Sequence, residues 1–436
     1  MDAMKDSGIK WIGEIPSSWK LIRMKDCSYM KGRIGWQGLT ADEFIEEGPY
    51  LVTGTDFDSG HVCWDRSYHV SEKRYEEAPE IQLRIGDLLV TKDGTIGKLA
   101  LIDELPGKAC LNSHLLVIRP LYNQYVNRYL YWVLNSPVFQ GYYEQMSYGS
   151  TMNSLSQENI GDFHFFVPSI TEQERIADYL DKHCAKLDKI IANLERQIEL
   201  LQKYKKSLIT ETVTKGLDKN VEMKDSGIPW IGNIPKHWEI RRGKYIFKIY
   251  GGSIKDEDLS DSEISGWREI NYFKVDDMNR TENGFEMVYD NEKLFTRKSY
   301  VPYTAPLILI PKRGAAIYTN KVRITHEDCL LDPNIMGLRT SEQIEYYAYL
   351  LFARSLTDIG DISTIPQINN KHIDNLKLPV PSIEEQRDIV TFLNKKCELL
   401  GRISLIKEEQ LKAMQKHKAS LIYEYVTGKK RVKEVV

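Results

Sequence analysis

The sequence predicts an α+β protein written twice: two mixed domains and two long antiparallel helices that form a coiled-coil spacer, with a pseudo-two-fold internal repeat. Three observations carry this expectation. Residues 4 to 19 read MKDSGIKWIGEIPSSW and residues 223 to 238 read MKDSGIPWIGNIPKHW, identical at 12 of 16 positions. VPSITEQERIADYL from Val167 returns as VPSIEEQRDIVTFL from Val380, and each opens a charged stretch ending in SLITETVT (207 to 214) or SLIYEYVT (420 to 427). The segments between, about 20 to 166 and 239 to 379, are much less alike yet keep one order of elements. The expected division is a first variable domain at 1–166, a central helical spacer at 167–222, a second variable domain at 223–379 and a C-terminal helical spacer at 380–436.

Within the variable domains the skeletons align. Gly86-Asp-Leu-Leu-Val-Thr-Lys-Asp-Gly94 faces Pro306-Leu-Ile-Leu-Ile-Pro-Lys-Arg-Gly314, each a short apolar run that breaks at Lys-x-Gly, which predicts a buried strand and a turn. Leu115 to Arg119 and Met336 to Arg339 read as the next strand. Aromatic stretches of helical period follow, Tyr125 to Tyr143 and Ile344 to Leu356. Each copy then has a polar loop, Ser150-Thr-Met-Asn or Ser363-Thr-Ile-Pro, and a short strand running into Val-Pro-Ser.

The spacer helices start at N-cap candidates, Ser169 or Thr171 in one copy and Ser382 in the other, with acids in the first turn where the helix dipole favours them. A 4-3 spacing from Ile176 passes through Leu180, His183, Leu187, Ile190, Leu194, Gln197, Leu201, Tyr204 and Leu208, a coiled-coil seam. The weaker second seam runs through Ile389, Leu393, Lys396, Leu400, Ile403, Lys407, Gln410, Met414, His417 and Leu421. Each helix of about 40 residues would be about 60 Å long. Packed antiparallel, two such helices place the variable domains at opposite ends, as in a dumbbell.

Enzyme signatures are missing. Gly94-Thr-Ile-Gly-Lys98 lacks the Ser or Thr that must follow the lysine of a phosphate loop. Asp332-Pro-Asn-Ile lacks the second proline and the aromatic of the amino-methyltransferase motif, and no glycine-rich loop accompanies it. The nine histidines show no metal-ligand spacing, and the six scattered cysteines form no C-x-x-C pair, so neither zinc nor a disulfide framework is expected. No apolar leader or bilayer-length apolar run is visible, which leaves a cytoplasmic, non-membrane protein as the expectation.

Charge placement says more than the net charge of −3. Lys20, Arg23, Lys25, Lys31 and Arg33 precede Asp42, Glu43, Glu46 and Glu47; Arg241, Arg242, Lys244, Lys248 and Lys255 precede Asp256, Glu257, Asp258, Asp261 and Glu263. A basic strand followed by an acidic loop, twice, suggests one face for phosphates; ordinary solvated charge is the alternative. The Lys-x-Gly loops supply a second candidate face with Lys92, Thr95 and Lys98, then Lys312, Arg313, Tyr318 and Asn320. Arg313 suits a bidentate contact to guanine and Asn320 one to adenine. The polar loops are a third face, with Ser150, Thr151 and Asn153, then Ser363, Thr364 and Gln367. Trp11, Trp19, Trp230 and Trp238 sit in near-identical segments, where two different targets would not be read, so packing is expected of them.

Taken together, the repeated DSGI-x-WIG-x-IP-x-x-W, the repeated VPS-I-x-EQ that opens a long helix, and the alternation of variable and similar segments resemble the specificity subunit of type I restriction-modification systems. The resemblance covers essentially the whole chain. It implies a non-catalytic subunit whose two variable domains are target recognition domains, each reading half of a bipartite, asymmetric sequence in double-stranded DNA. It implies as partners two modification subunits and two restriction subunits, with S-adenosylmethionine, ATP and magnesium bound by them and no cofactor on this chain. Half-sites about one helical turn apart, roughly 34 Å, follow from reaching one face of the duplex twice. A coiled-coil scaffold for protein ligands and a self-contained methyltransferase or nuclease are the other readings. By segment, the first variable domain carries −5, the second −2, and the chain from Glu384 onward +4, so DNA binding by this chain alone should be weak.

Overall fold

In a computed structural model of the 436-residue chain, residues 3–9, 12–33, 39–147, 155–280, 284–288, 294–361 and 366–432 are described. They form two compact units, one of residues 1–193 with 410–436 and one of 194–409. Each unit therefore takes half of each long helix. The first helix runs Ile170–Lys215 and the second Ile383–Val426.

Both units are built on the same sheet. In the first unit Ser28–Gly32, Leu115–Pro120, Leu88–Thr91 and Leu99–Leu101 lie side by side and antiparallel, and His61–Val62 and Phe57–Asp58 extend the edge. The second unit repeats the arrangement with Lys248–Gly251, Ile335–Arg339, Leu307–Pro311 and Arg323–Thr325. The apolar runs are buried on both faces, and their period-two alternation feeds two cores. Leu88 and Val90 point to a core shared with the helices, while Leu89 faces a smaller core against a second sheet. Ile308 and Ile310 divide from Leu307 and Leu309 in the same way. Each second sheet carries a parallel pair, Ala109–Leu111 with Ile45–Val52 and Cys329–Leu331 with Trp267–Phe273. Nothing in the sequence patterns marked that pairing.

The aromatic stretch of the first unit is two helices, Asn127–Leu134 and Pro137–Ser147. Pro137 breaks it, since proline removes a helical donor and its ring clashes with the preceding turn. In the second unit, where no proline intervenes, Ile344–Arg354 is one helix. Each variable segment enters and leaves through one two-stranded ribbon, Lys20 opposite Val167 and Glu239 opposite Val380.

The repeated motifs turn out to be joints. The glutamine of each VPS-I-x-EQ is fully buried. Gln173 accepts from the Val126 amide and donates to the carbonyls of Gln124 and Pro168 (3.0, 2.9 and 3.0 Å). Gln386 accepts from the Gln343 amide and donates to Pro381 O and Glu342 (3.2, 3.1 and 2.7 Å). One amide thus satisfies the orphan donor at the start of the aromatic helix and a carbonyl at the start of the spacer helix. Tyr129 donates to Phe166 O and Val426 O, and Tyr346 to Pro379 O and Val213 O, so each aromatic helix is tied to the far end of a spacer helix through SLITETVT or its copy. Beyond those ends Gly216 and Gly428 adopt positive φ (74° and 71°) as helix caps, and a Cβ there would stand 3.1 Å from Trp238 and 3.0 Å from Trp19. Trp19 and Trp238 are each 1% exposed, which fits the packing role expected of them.

Within the first unit the helices run antiparallel: Glu172 pairs with Arg431, Tyr179 stacks near Tyr425 and Asp188 pairs with Lys418. In the second unit Ile209 and Val213 share a core with Ile389, Leu393 and Cys397. Ser169 and Ser382 are the N-caps, and Thr171 lies inside the first turn. Ile176, Leu180, Leu194, Ile389 and Leu393 are buried, while Leu187, Leu201, Leu400 and Ile403 are half-buried. The alternate seam positions differ from the expected frame. Cys184 is buried beside half-buried His183, and Ile190 and Tyr204 are 46% and 57% exposed. In the second helix Cys397 and Gly401 are buried where Lys396 is exposed. The frame slips because His183 and Lys396 carry polar groups that stay wet, and the smaller neighbour turns inward. All six cysteines are free thiols, and burial pushes Cys184 up to about 12.

Candidate nucleic-acid interface

The Lys-x-Gly loops leave the central strand at its buried end and are closed by backbone and threonine bonds. In the first unit the Thr91 hydroxyl accepts from the Lys98 amide (2.9 Å) and donates to Thr95 O, while Gly97 N donates to Thr91 O. Gly94 and Gly97 take positive φ, and Thr95 and Lys98 are exposed at the tip. In the second unit Gly314 (φ 80°) leads into a short turn, Ala315–Ile317, with Arg313 and Tyr318 exposed.

The structure brings the second and third predicted faces together. Lys92 N donates to His114 O and Lys92 O accepts from Leu155 N, two residues past the polar loop; Lys312 N donates to Asn334 O and Lys312 O accepts from Ile368 N. Arg313 bridges Gln367, and Gly314 N donates to Pro366 O. Three loops thus meet at one end of each central sheet. Ser150, Thr151, Asn153, Ser363 and Thr364 lie outside the described residues, but the chain leaves the polar loops beside Lys92 and Lys312. No sequence pattern marks the third loop as a DNA contact, although its second copy is the Asp332-Pro-Asn-Ile weighed above as an enzyme motif. His114 and Asn334 stand in the turns Asn112-Ser-His and Asp332-Pro-Asn, where Asn112 and Asp332 accept the amide two residues on (3.0 and 2.7 Å). Asp332-Pro-Asn is an Asx-type turn.

The basic strands stand differently. Arg23 and Lys25 both pair with Asp162 (2.6 and 3.0 Å), whose carboxyl is held below its usual range by Lys25 and then Arg23. Arg241 is held between Glu239 and Glu342, and Arg242 is exposed. These four lie on the entry ribbon or next to it, away from the three loops in chain order. Lys31 is exposed on the edge strand; Lys248 lies over Tyr250 (5.3 Å) and Lys244 over Tyr245 (4.7 Å), a ring 72% exposed. A Cβ on Gly251 would stand 3.9 Å from Lys312 Nζ, which places that ammonium along the same edge strand.

Two predicted readers are occupied inside the fold. Arg33 is 4% exposed and donates to Leu111 O (3.1 Å) and to Cys110 Sγ (3.3 Å). Asn320 sits at φ 51°, donates to Phe352 O and accepts from Leu356 N (both 2.9 Å), so both ends of its amide are spent on the backbone. Sequence could not show this, because a left-handed asparagine and a base-reading one look alike until its partners are known.

A family model described as "Type I restriction modification DNA specificity domain" matches residues 16–200 and again 235–411, well over half of the sequence. The chain belongs to this family. A putative type I restriction enzyme MjaX specificity subunit from Methanocaldococcus jannaschii is 25% identical over 97% of this chain and 96% of its own length. The MjaVIII specificity subunit from the same organism is 23% identical over 97% and 95%, and the EcoBI specificity subunit from Escherichia coli 23% over 88% and 80%. A solved structure from work on complex assembly and conformational transition of the type I R-M system superposes with a TM-score of 0.69 at 15% identity, covering 95% of this chain and 99% of the other. That likeness establishes the fold, two α+β repeats with long helices. Among the described residues no helix is long and apolar enough to cross a membrane, and no cluster of metal-ligating side chains occurs.

Proposed function

We propose that this chain is the DNA-recognition subunit of a type I restriction-modification system and that each unit reads one half of a bipartite, asymmetric target. The observation that carries the reading is one loop scaffold built twice with different side chains. Lys92-Asp-Gly-Thr stands where the second unit has Lys312-Arg-Gly-Ala, and His114 where it has Asn334. A fixed scaffold with exchanged polar side chains is what two half-sites of different sequence require. The long helices set the gap and dock two modification subunits, which bind S-adenosylmethionine and methylate adenine. Two restriction subunits use ATP and magnesium to cleave. This chain itself carries no catalytic step and works in the cytoplasm. Because a target base must leave the stack to be methylated, opening or bending of the duplex accompanies recognition.

Arg313 and Lys312 should respond differently. Arg313→Ala is expected to cost about 1–3 kcal/mol and to relax specificity at one base pair of one half-site, because a bidentate base contact is lost. Lys312→Ala should weaken binding evenly across sequences and lower the salt slope by about one, because a phosphate contact is lost. Titration of the assembled methyltransferase with target and single-base variants at several salt concentrations separates the two. Equal losses on every sequence for Arg313→Ala would remove it from base reading.

A further inference from the structure

The residue after the loop lysine is acidic in one unit and basic in the other, Asp93 and Arg313. Their backbones are placed alike. Lys92 N donates to His114 O and Lys92 O accepts from Leu155 N (both 2.9 Å), while Lys312 N donates to Asn334 O (2.7 Å) and Lys312 O accepts from Ile368 N (2.9 Å). A lysine held through both its N–H and its C=O fixes where the next residue leaves the sheet. Asp93 and Arg313 therefore occupy one place in two copies of one scaffold.

Asp93 is not spent on the fold. The side chains of Asn112 and Asp332 in the neighbouring turns each accept a backbone amide, and Asp87, at the other end of the strand, holds Arg119 and the Arg84 amide. The Asp93 carboxylate, by contrast, accepts no hydrogen bond among the described residues. Its nearest cations are Lys92 Nζ at 3.8 Å and His114 Nδ1 at 3.5 Å, both measured to Oδ2. An N–H···O bond needs about 2.7–3.2 Å, and looser exposed pairs contribute little. The carboxylate is 39% exposed where the three loops meet.

An acid on a surface meant for DNA is costly. It repels phosphates, and once the duplex covers it an acceptor without a donor gives up its water for nothing. The sugar-phosphate chain carries only acceptors. The major groove offers donors at two places, the N4 amino group of cytosine and the N6 amino group of adenine, whereas guanine O6 and N7 and thymine O4 are acceptors. Every such amino group stands beside an acceptor on the same base-pair edge, which suits the Lys92 and His114 nitrogens beside the carboxylate. Arg313, at the equivalent place, presents donors only, and its guanidinium makes no ion pair among the described residues. The two units ask opposite chemistry of the duplex.

We propose that Asp93 is a specificity-determining residue for the first half-site: its carboxylate accepts from an exocyclic amino group in the major groove, cytosine N4 or adenine N6, while its counterpart Arg313 selects an acceptor edge in the second. This rests on the DNA-recognition reading above and deepens it to the class of base edge that each unit selects at their shared position.

The test uses the full chain assembled with its modification subunits, and a target duplex whose sequence is taken from adenine methylation in cells carrying the system. In the first half-site each cytosine of either strand is replaced in turn by pyrimidinone and each adenine by purine, bases that lack only the amino group, and binding is titrated for the unaltered chain and for Asp93→Ala. One replacement is expected to weaken the unaltered complex about tenfold more than the Asp93→Ala complex. Whether that base is cytosine or adenine identifies the amino group read. The lost base-pairing bond is common to both complexes and cancels. Replacements in the second half-site should weaken both complexes equally, which shows that the variant is folded and still reads DNA. Equal losses for the two proteins at every amino group of the first half-site overturn the proposal and leave the DNA-recognition reading intact. Tighter binding of Asp93→Ala by one factor on every sequence, with a steeper salt dependence, also overturns it, since the carboxylate would then act only against phosphates. An unaltered complex that binds all duplexes alike overturns both.

Discussion

A chain ending at Glu409 should keep its second unit and lose its first. Residues 194–409 contain everything in the second compact unit, whereas the first needs residues 410–436. Ile422, Tyr425 and Val426 are each under 8% exposed in the first unit's core, Val426 O accepts from Tyr129, and the Gly428 backbone covers Trp19. Three such side chains contribute about 1.5–3 kcal/mol each when fully buried, a sum comparable with the whole stability of a typical domain, about 5–15 kcal/mol. Hydrogen exchange on the truncated chain is expected to show fast exchange across residues 12–167 and continued protection across the sheet strands Leu307–Pro311 and Ile335–Arg339. Protection of Leu88–Thr91 and Leu115–Pro120 equal to the full chain would contradict this division.

Trp238→Ala carries the second large effect. Its ring is buried against Gly216 and Pro235's neighbourhood, and its Nε1 donates to Glu385 Oε1 (3.1 Å), which also accepts from His237 (2.8 Å). Truncating a buried tryptophan costs about 3–5 kcal/mol. The loss falls at the joint between the repeated N-terminal segment and the end of the first spacer helix, so the second unit should melt earlier while the first keeps its transition. Differential scanning calorimetry of the variant checks this by the splitting of one transition into two. A single transition at the unaltered temperature would remove the tryptophan from the joint.

Much of this fold is legible in the sequence because the repeat supplies an internal comparison. Leu88 to Thr91 and Leu307 to Pro311 read as buried strands from composition alone, and the spacer helices from their caps and apolar spacing. Beyond Leu180 only every second seam position was legible: Leu187, Leu194 and Leu201 face inward as expected, but between them a histidine and a cysteine side by side offer two frames, and packing selects the cysteine. Non-local pairings were also hidden: no pattern in Ala109–Leu111 announces a parallel partner at Ile45–Val52. Nor does a helix written at 410–426 announce that it completes the domain that begins the chain. In the candidate site, Lys92, Thr95, Lys98, Lys312, Arg313 and Tyr318 were visible as charged or aromatic residues around glycine turns. Arg33 and Asn320 could not be separated from them, since burial and backbone partners decide their role. His114 sits in a three-residue turn with no charge pattern to mark it, and Asn334 stands out only within Asp332-Pro-Asn-Ile, which reads as a failed enzyme motif rather than as a DNA contact.

The geometry of the entry ribbon makes the central claim directly testable. Lys20 lies opposite Val167 and Glu239 opposite Val380, so each variable segment begins and ends at paired residues of adjacent strands. Such a segment can be exchanged with little disturbance of the frame that holds it. Residues 20–166 should be replaced by the corresponding segment of a relative with a different target, and adenine methylation mapped across the genome of cells carrying the complete system. One half of the methylated motif is expected to change while the other half and the gap stay as they were; a change in both halves, or in neither, would contradict the account.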